Sequence, residues 1–304
     1  PLEVGGLHIA NRFVTHPMEG WDASADGLPT TDTLRRWRRF GQSGAKLIWG
    51  GEAFAVSEDG RANPNQLYLN DGAETLDGLI RLREEVRAGH AEVGENPDEL
   101  VVGLQLTHSG RFARPRGELA SKIAHHHPPL AAKYGVEPQP LTDTELEDIG
   151  ERFVQAARFA EEAGYAFVDV KCCHGYLMHE TLGAHTRDGV YGGSFENRTR
   201  FFMRVIDEIR SVCPSLHVAA RVSIVDTHPF SADPEEIGEP IDWEAHTPYR
   251  WGFGVDPLDP RRTSLDEPLQ LLSLLTERDV KLINLSVGSP YYNPHLQRPA
   301  AYPP

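Results

Sequence analysis

Residues 142–172, TDTELEDIGERFVQAARFAEEAGYAFVDVKC, decide the architecture. Thr142 with Glu145 three residues on is the pairing of a capping box, in which each side chain satisfies a free backbone N–H at a helix start. Leu146, Ile149, Phe153, Ala156, Ala160 and Ala163 then recur at three- and four-residue spacing, the apolar stripe of an amphipathic helix. Gly164 stops it. Ala166 to Cys172 follows as a strand, with Asp169 and Lys171 on one face and Val168 and Val170 on the other. A capped helix feeding directly into an apolar strand is one repeat of an α/β fold.

The rest of the chain repeats it. Upstream, strands are expected at Arg12 to His16, Leu47 to Gly51 and Val101 to Leu106, with helices over Thr30 to Ser43 and Glu74 to Ala88. Downstream, Ser194 caps a helix whose Phe201, Phe202, Val205, Ile206, Ile209 and Val212 face a core, ending at Pro214. His217 to Ser223 is strand five, Leu269 to Arg278 a helix and Leu282 to Val287 strand six. Strands alternating with helices imply a parallel sheet. A doubly wound open sheet should carry G-x-G-x-x-G after its first strand, and Pro17-Met18-Glu19-Gly20 is not that. The expected fold is therefore a (β/α)8 TIM barrel with only about six βα units present, its active site at the C-terminal ends of the strands. Two long segments, 111–140 and 224–263, read as non-helical loops following strands, and are expected to wall that site.

Composition narrows the function classes. The 304 residues carry 45 acidic and 30 basic side chains, a formal charge of −15. Such a surface repels phosphate backbones and anionic lipids, so neither nucleic acid nor membrane is an expected partner. No apolar run approaches the roughly 20 residues that span a bilayer, and no secretory leader is visible. Three cysteines, two of them adjacent, make no even disulfide framework, which favours a reducing, cytoplasmic setting. The chain starts at Pro1 and stops at Ala301 to Pro304 in mid-loop style, so residues 1–304 are expected to form one barrel domain incomplete at its C-terminus.

Alternation along the strands aims Gln105, Asp169, Lys171 and Arg221 inward. Inward polar groups are costly without partners, and two readings stay open here: a buried ion-pair network, or a ligand site. Lys171 to Tyr176 is the densest run of reactive side chains, within which Cys172 reads as a small buried apolar residue. The triplet His125-His126-His127 reads as solvated loop, and no His spacing suggests a metal site.

Residues 168–177, VDVKCCHGYL, and 187–201, RDGVYGGSFENRTRF, resemble the Old Yellow Enzyme family of FMN-dependent oxidoreductases. Weaker matches run along the chain: Gly5-Gly6-Leu7, Asn11-Arg12-Phe13, Pro17-Met18, Gln105-Leu106, His108 to Arg111, Arg221-Val222-Ser223 and Gly288 to Tyr292. The resemblance implies a barrel holding FMN at the strand C-termini, with NAD(P)H as reductant and a small-molecule substrate. It places Pro17 and Met18 against the flavin, the Gly51-Glu52-Ala53 turn near the pyrimidine end, Gln105 at O2/N3 and Arg221 at N1/O2. It implies hydride passing from NAD(P)H through flavin N5 to an activated alkene, with Tyr176 as proton donor. Two positions depart from the family. Lys171-x-x-His174 stands where relatives show His-x-x-His or His-x-x-Asn to grip a carbonyl oxygen, and Glu19 stands where they commonly carry Thr or Cys. A carboxylate beside the flavin should lower its potential unless it is protonated, paired or turned away. Lys171 would favour carboxylated substrates.

Two alternatives accompany this reading: amine or alcohol oxidation, whose family members can carry an additional Cys-rich cluster not seen here, and a non-catalytic barrel fragment without flavin. The phosphate cup of such barrels lies after strands seven and eight, so weak FMN retention and poor solubility are expected of the chain by itself. Homo-oligomerisation stays open.

Overall fold

The structure, a computed structural model, describes residues 1–135, 137–232 and 238–298. An antiparallel ribbon, β1 (Leu2–Val4) and β2 (Leu7–Ile9), precedes the alternation. Then come β3 (Val14–Thr15), α1 (Thr31–Gln42), β4 (Leu47–Ile48), β5 (Ala53–Ala55), α2 (Ala73–Glu92) and β6 (Val101–Thr107). α3 (Pro128–Tyr134), α4 (Asp143–Glu162), β7 (Phe167–Cys172), α5 (Leu177–Leu182), α6 (Phe195–Val212) and β8 (His217–Ser223) follow. The chain continues through an antiparallel pair, β9 (Phe230–Ala232) and β10 (Gly238–Pro240), to α7 (Asp266–Glu277) and β11 (Leu282–Ser286).

One parallel sheet runs in the order β11-β8-β7-β6-β4-β3, with β5 also on β6. Strand order follows chain order without the reversal that defines a doubly wound sheet, so the sheet is an arc of a barrel. β4 and β5 are two halves of one barrel strand: Leu47 and Ile48 pair with Val101 and Val102, while Ala53 to Ala55 pair with Gln105 to Thr107. The break falls at Gly50, whose φ is 146° and where a Cβ would lie 2.9 Å from the Gln105 backbone nitrogen. Only glycine fits there. Among the described residues β3 and β11 are the sheet's edges, and inward side chains from the two sides meet, His16 Nδ1 lying 3.0 Å from Asn284 Nδ2.

Two apolar layers hold the arc. The capping box forms as the sequence implies, with Glu145 N donating to Thr142 Oγ1 at 3.2 Å and Thr142 N to Glu145 Oε2 at 2.8 Å. It starts α4, whose buried Leu146, Phe153, Ala156 and Ala160 pack with Phe201, Val205 and Ile209 of α6 against the outer face of the sheet. Each large side chain removed from water there contributes roughly 1.5–3 kcal/mol. Inside the arc, Ile9, Leu47, Trp49, Val101, Phe167, Ala219 and Leu282 fill the end nearest the strand N-termini, with Val4 and Leu7 of the ribbon packed beneath them.

Several expectations need correction. Segment 111–140 contains α3: Pro128 and Pro129 sit in its first turn, where a missing N–H costs nothing, and His127 Nδ1 accepts from Leu130 N at 3.2 Å. Segment 224–263 carries the β9–β10 pair. The expected fold itself is met: β11 leads into a single 3-10 turn, Pro294–Leu296, and the described residues hold five complete βα units and a sixth strand, in keeping with the roughly six expected. The chain end at Ala301 to Pro304 lies outside the described residues. All three cysteines are free and buried. Among the described residues no helix is long and apolar enough to cross a membrane.

Candidate active site

The parallel register assembles the inward polar residues in rows. Gln105 lies opposite Asp169 across β6 and β7, and Lys171, Arg221 and Asn284 lie side by side across β7, β8 and β11. Gln105 Nε2 donates to Asp169 Oδ2 at 2.6 Å. Burial pushes the Asp169 carboxyl up to about 6, opposed by that amide and by the charges of Arg221 and Lys171. Asp169 therefore takes Gln105 as its close partner, and Lys171 finds a different carboxylate. Lys171 Nζ lies 3.4 Å from Glu19 Oε1 and 3.8 Å above the centre of the Tyr176 ring. Arg221 Nε is buried with no hydrogen-bond partner among the described residues.

Above these rows opens a cleft of about 530 Å³. Nine of the eleven candidate site residues line it: Pro17, Met18, Glu19, Ala53, Gln105, Lys171, His174, Tyr176 and Arg221. Gly51 and Glu52 do not. Gly51 backs onto the Trp37 ring, and Glu52 turns away to accept from Gly20 N at 2.9 Å and from the Arg36 guanidinium of α1 at 2.5 Å. A fully buried carboxylate needs such a cation, and helix α1 supplies it from behind the sheet.

His174 and Gly175 take left-handed backbone, φ 67° and 75°, where β7 turns into α5. His174 N donates to Ser223 Oγ at 3.1 Å, and its Nε2 lies 2.9 Å from Ser286 Oγ. Burial, then the cations Lys171 and Arg221, hold the imidazole well below its usual range, so the ring is neutral. Burial and the Glu19 carboxylate push the Tyr176 phenol well above its usual range, keeping it protonated. Its Oη donates to Glu19 Oε1 at 2.5 Å and lies 3.0 Å from Tyr291 Oη.

Sequence reasoning assigned no role to part of the wall. Trp21, Pro290, Tyr291, Gln297 and Arg298 also line the cleft. Trp21 has φ 51°, so two of the three described non-glycine residues with positive φ, Trp21 and His174, face this one site. Strained backbone of this kind persists where surrounding structure fixes it, commonly at functional sites. The two long segments do not line the cleft but buttress its wall. Phe112 stacks on Tyr291 at 4.1 Å between ring centres, Tyr134 Oη donates to Tyr291 O at 2.5 Å, and Lys133 Nζ donates to Phe230 O at 2.6 Å. His125 and His127 belong to this support. They are buried with ring centres 6.1 Å apart, and His127 Nε2 lies 3.4 Å from Tyr249 Oη, so only His126 of the triplet is solvated surface. Arg111 donates to His125 O at 2.9 Å and pairs with Glu180. Among the described residues no group of His, Cys, Asp and Glu is arranged to hold a metal.

Residues 1–245 match the NADH:flavin oxidoreductase / NADH oxidase family. The chain belongs to this family. It is 32% identical over 238 residues to an NADPH dehydrogenase of Geobacillus sp. (strain WCH70), an overlap covering 75% of this chain and 64% of that protein. With an NADPH dehydrogenase of Bacillus subtilis (strain 168) it shares 31% over 217 residues, 70% of this chain and 59% of that one. The chain thus spans about three fifths of the length of these curated relatives. An Old Yellow Enzyme from Pichia sp. AKU4542 superposes with a TM-score of 0.66 at 21% identity, covering 98% of this chain and 72% of that one. That likeness fixes the fold of this NADH:flavin oxidoreductase family member as part of the Old Yellow Enzyme barrel.

Proposed function

We propose that this protein is an FMN-dependent oxidoreductase that uses NAD(P)H to reduce an alkene conjugated to a carbonyl in a small molecule. The carrying observation is the convergence of Gln105, Lys171, His174, Tyr176 and Arg221 in one cleft at the strand C-terminal ends. The matched NADPH dehydrogenases support the reductant.

The residues present fit the isoalloxazine ring of FMN. Arg221 brings a cation with a buried, unpartnered Nε to the cleft, suited to a ring system that carries negative charge when reduced. Gln105 gives its amide N–H to Asp169, which leaves its carbonyl oxygen to accept from an imide N–H. Pro17, Met18 and Ala53 supply the flanking wall. FMN, when bound, supplies the two-electron hydride chemistry that no side chain of this protein offers.

The chain's own residues do the rest. Lys171 and the neutral His174 imidazole hold the substrate oxygen and stabilise the negative charge that grows there as the β-carbon gains hydride. Tyr176, kept protonated, holds at Oη the proton that the α-carbon takes up once its hydrogen bond to Glu19 is released. Tyr291, stacked on Phe112, closes one side against water. Three buried free cysteines suit a reducing, cytoplasmic setting.

The test is anaerobic spectroscopy of the FMN-loaded protein. NADPH or NADH should bleach the flavin's visible absorbance, and 2-cyclohexenone should restore it. Recovery with oxygen alone would contradict alkene reduction.

A further inference from the structure

The cleft has an unusual charge pattern for so acidic a protein. Lys171, Arg221 and Arg298 line it as cations, Glu19 is the one carboxylate among its described lining residues, and the formal charge of the chain is −15. A concave site with excess positive charge draws anions, and Lys171 by itself would make a carboxylate the natural ligand. The contacts say otherwise. Glu19 Oε1 accepts from Tyr176 Oη at 2.5 Å and lies 3.4 Å from Lys171 Nζ, while Lys171 Nζ also faces the Tyr176 ring at 3.8 Å. Both charged side chains are largely out of water, Glu19 13% and Lys171 6% exposed. These are the contacts a ligand carboxylate would make with a lysine and a phenol, and Glu19 already makes them.

We propose that Glu19 is a resident counter-ion that sets the substrate class: it fills the carboxylate position between Lys171 and Tyr176, so the cleft takes neutral, carbonyl-activated substrates and discriminates against carboxylates. The inference rests on the cleft being the substrate site of the proposed reductase. An ammonium has three donors, and Glu19 accepts one, leaving donor capacity for a neutral carbonyl oxygen. At the Lys171–Tyr176 position an incoming carboxylate must either displace Glu19, stranding a buried charge, or sit beside it as a like charge. Neutral substrates meet neither obstacle. The two departures from the family pattern thereby become one, because either charge introduced without the other would be buried unpaired.

Benzoate and benzamide, nearly isosteric and differing in charge, test the proposal by ligand-observed NMR on the full chain with FMN present. Wild type should bind benzamide more tightly than benzoate. Glu19→Gln should move the benzoate-to-benzamide affinity ratio toward benzoate by on the order of 10- to 100-fold, and Glu19→Asp should keep the wild-type preference. Lys171→Met added to Glu19→Gln should cancel the gain, and this neutral double variant also serves if the single one folds poorly. A wild type that prefers benzoate, a ratio unchanged in folded Glu19→Gln, or binding of neither ligand to any folded variant would overturn it. The ratio requires no turnover. A shifted ratio without bleaching by NAD(P)H would sink the reductase reading and leave the counter-ion; bleaching with an unshifted ratio would do the reverse.

Discussion

Along β6, β7, β8 and β11 the inward side chains change character within two to four residues. Toward the strand N-termini they are Val101, Phe167, Ala219 and Leu282; toward the C-termini they are Gln105, Asp169 with Lys171, Arg221 and Asn284. The lower layer holds itself together by apolar contacts, with Trp49 edge-on to Phe167 at 5.7 Å and the β1–β2 ribbon beneath. The upper layer does not: it leaves Arg221 Nε without a partner and holds Asp169 ionisable in a buried site. Packing explains the first layer, and the second is the one the proposed flavin would complete. Barrels separate stability from chemistry along the strand axis in this way.

The comparison breaks most visibly if the lower layer is emptied. Phe167→Ala should cost about 3–5 kcal/mol in urea unfolding, because Phe167 is fully buried in that layer. FMN affinity should change less than threefold. A loss of flavin binding parallel to the loss of stability would show that the two layers are one unit.

A smaller effect exposes what the upper layer costs. The Asp169 carboxyl is raised to about 6, so the unfolded chain ionises first as pH rises. The contribution of Asp169 to stability is greatest below about pH 4, declines up to about pH 6 and is flat above. Asp169→Asn should remove that decline, adding roughly 1–3 kcal/mol at pH 7.5 and nothing at pH 4. Unfolding curves across this range check it. Asp226, buried under the Tyr292 hydroxyl at 2.8 Å and pushed up to about 7, adds its own decline, so some slope should survive in the variant up to that pH. An unchanged slope below pH 6 would mean Asp169 does not carry the cost.

The division between layers also explains what could be read in the sequence. Period-two alternation exposed Gln105, Asp169, Lys171 and Arg221 as inward polar residues, because each sits in a strand with apolar neighbours. The Thr142–Glu145 box is local and was equally readable. Pairings set by tertiary approach were not. Glu52 meets Arg36 across a helix-to-loop contact, and Lys171 meets Glu19 across 152 residues of sequence. Tyr291 reaches the cleft because Phe112 supports its ring, and nothing in residues 288–292 announces that partner. Segment 111–140 reads as a non-helical loop and instead holds α3, since only the place of Pro128 and Pro129 directly after the His127 cap marks a helix start there.

The most direct test of the layered account is a flavin titration followed by fluorescence quenching, comparing wild type with Arg221→Met. Wild type should quench FMN, and the variant should bind it about 10- to 100-fold more weakly, the range expected for losing a hydrogen-bonded charge, with unfolding of the flavin-free chain unchanged within about 0.5 kcal/mol. Equal affinity in the two proteins, or destabilisation without any change in flavin binding, would contradict the assignment of the upper layer to the flavin.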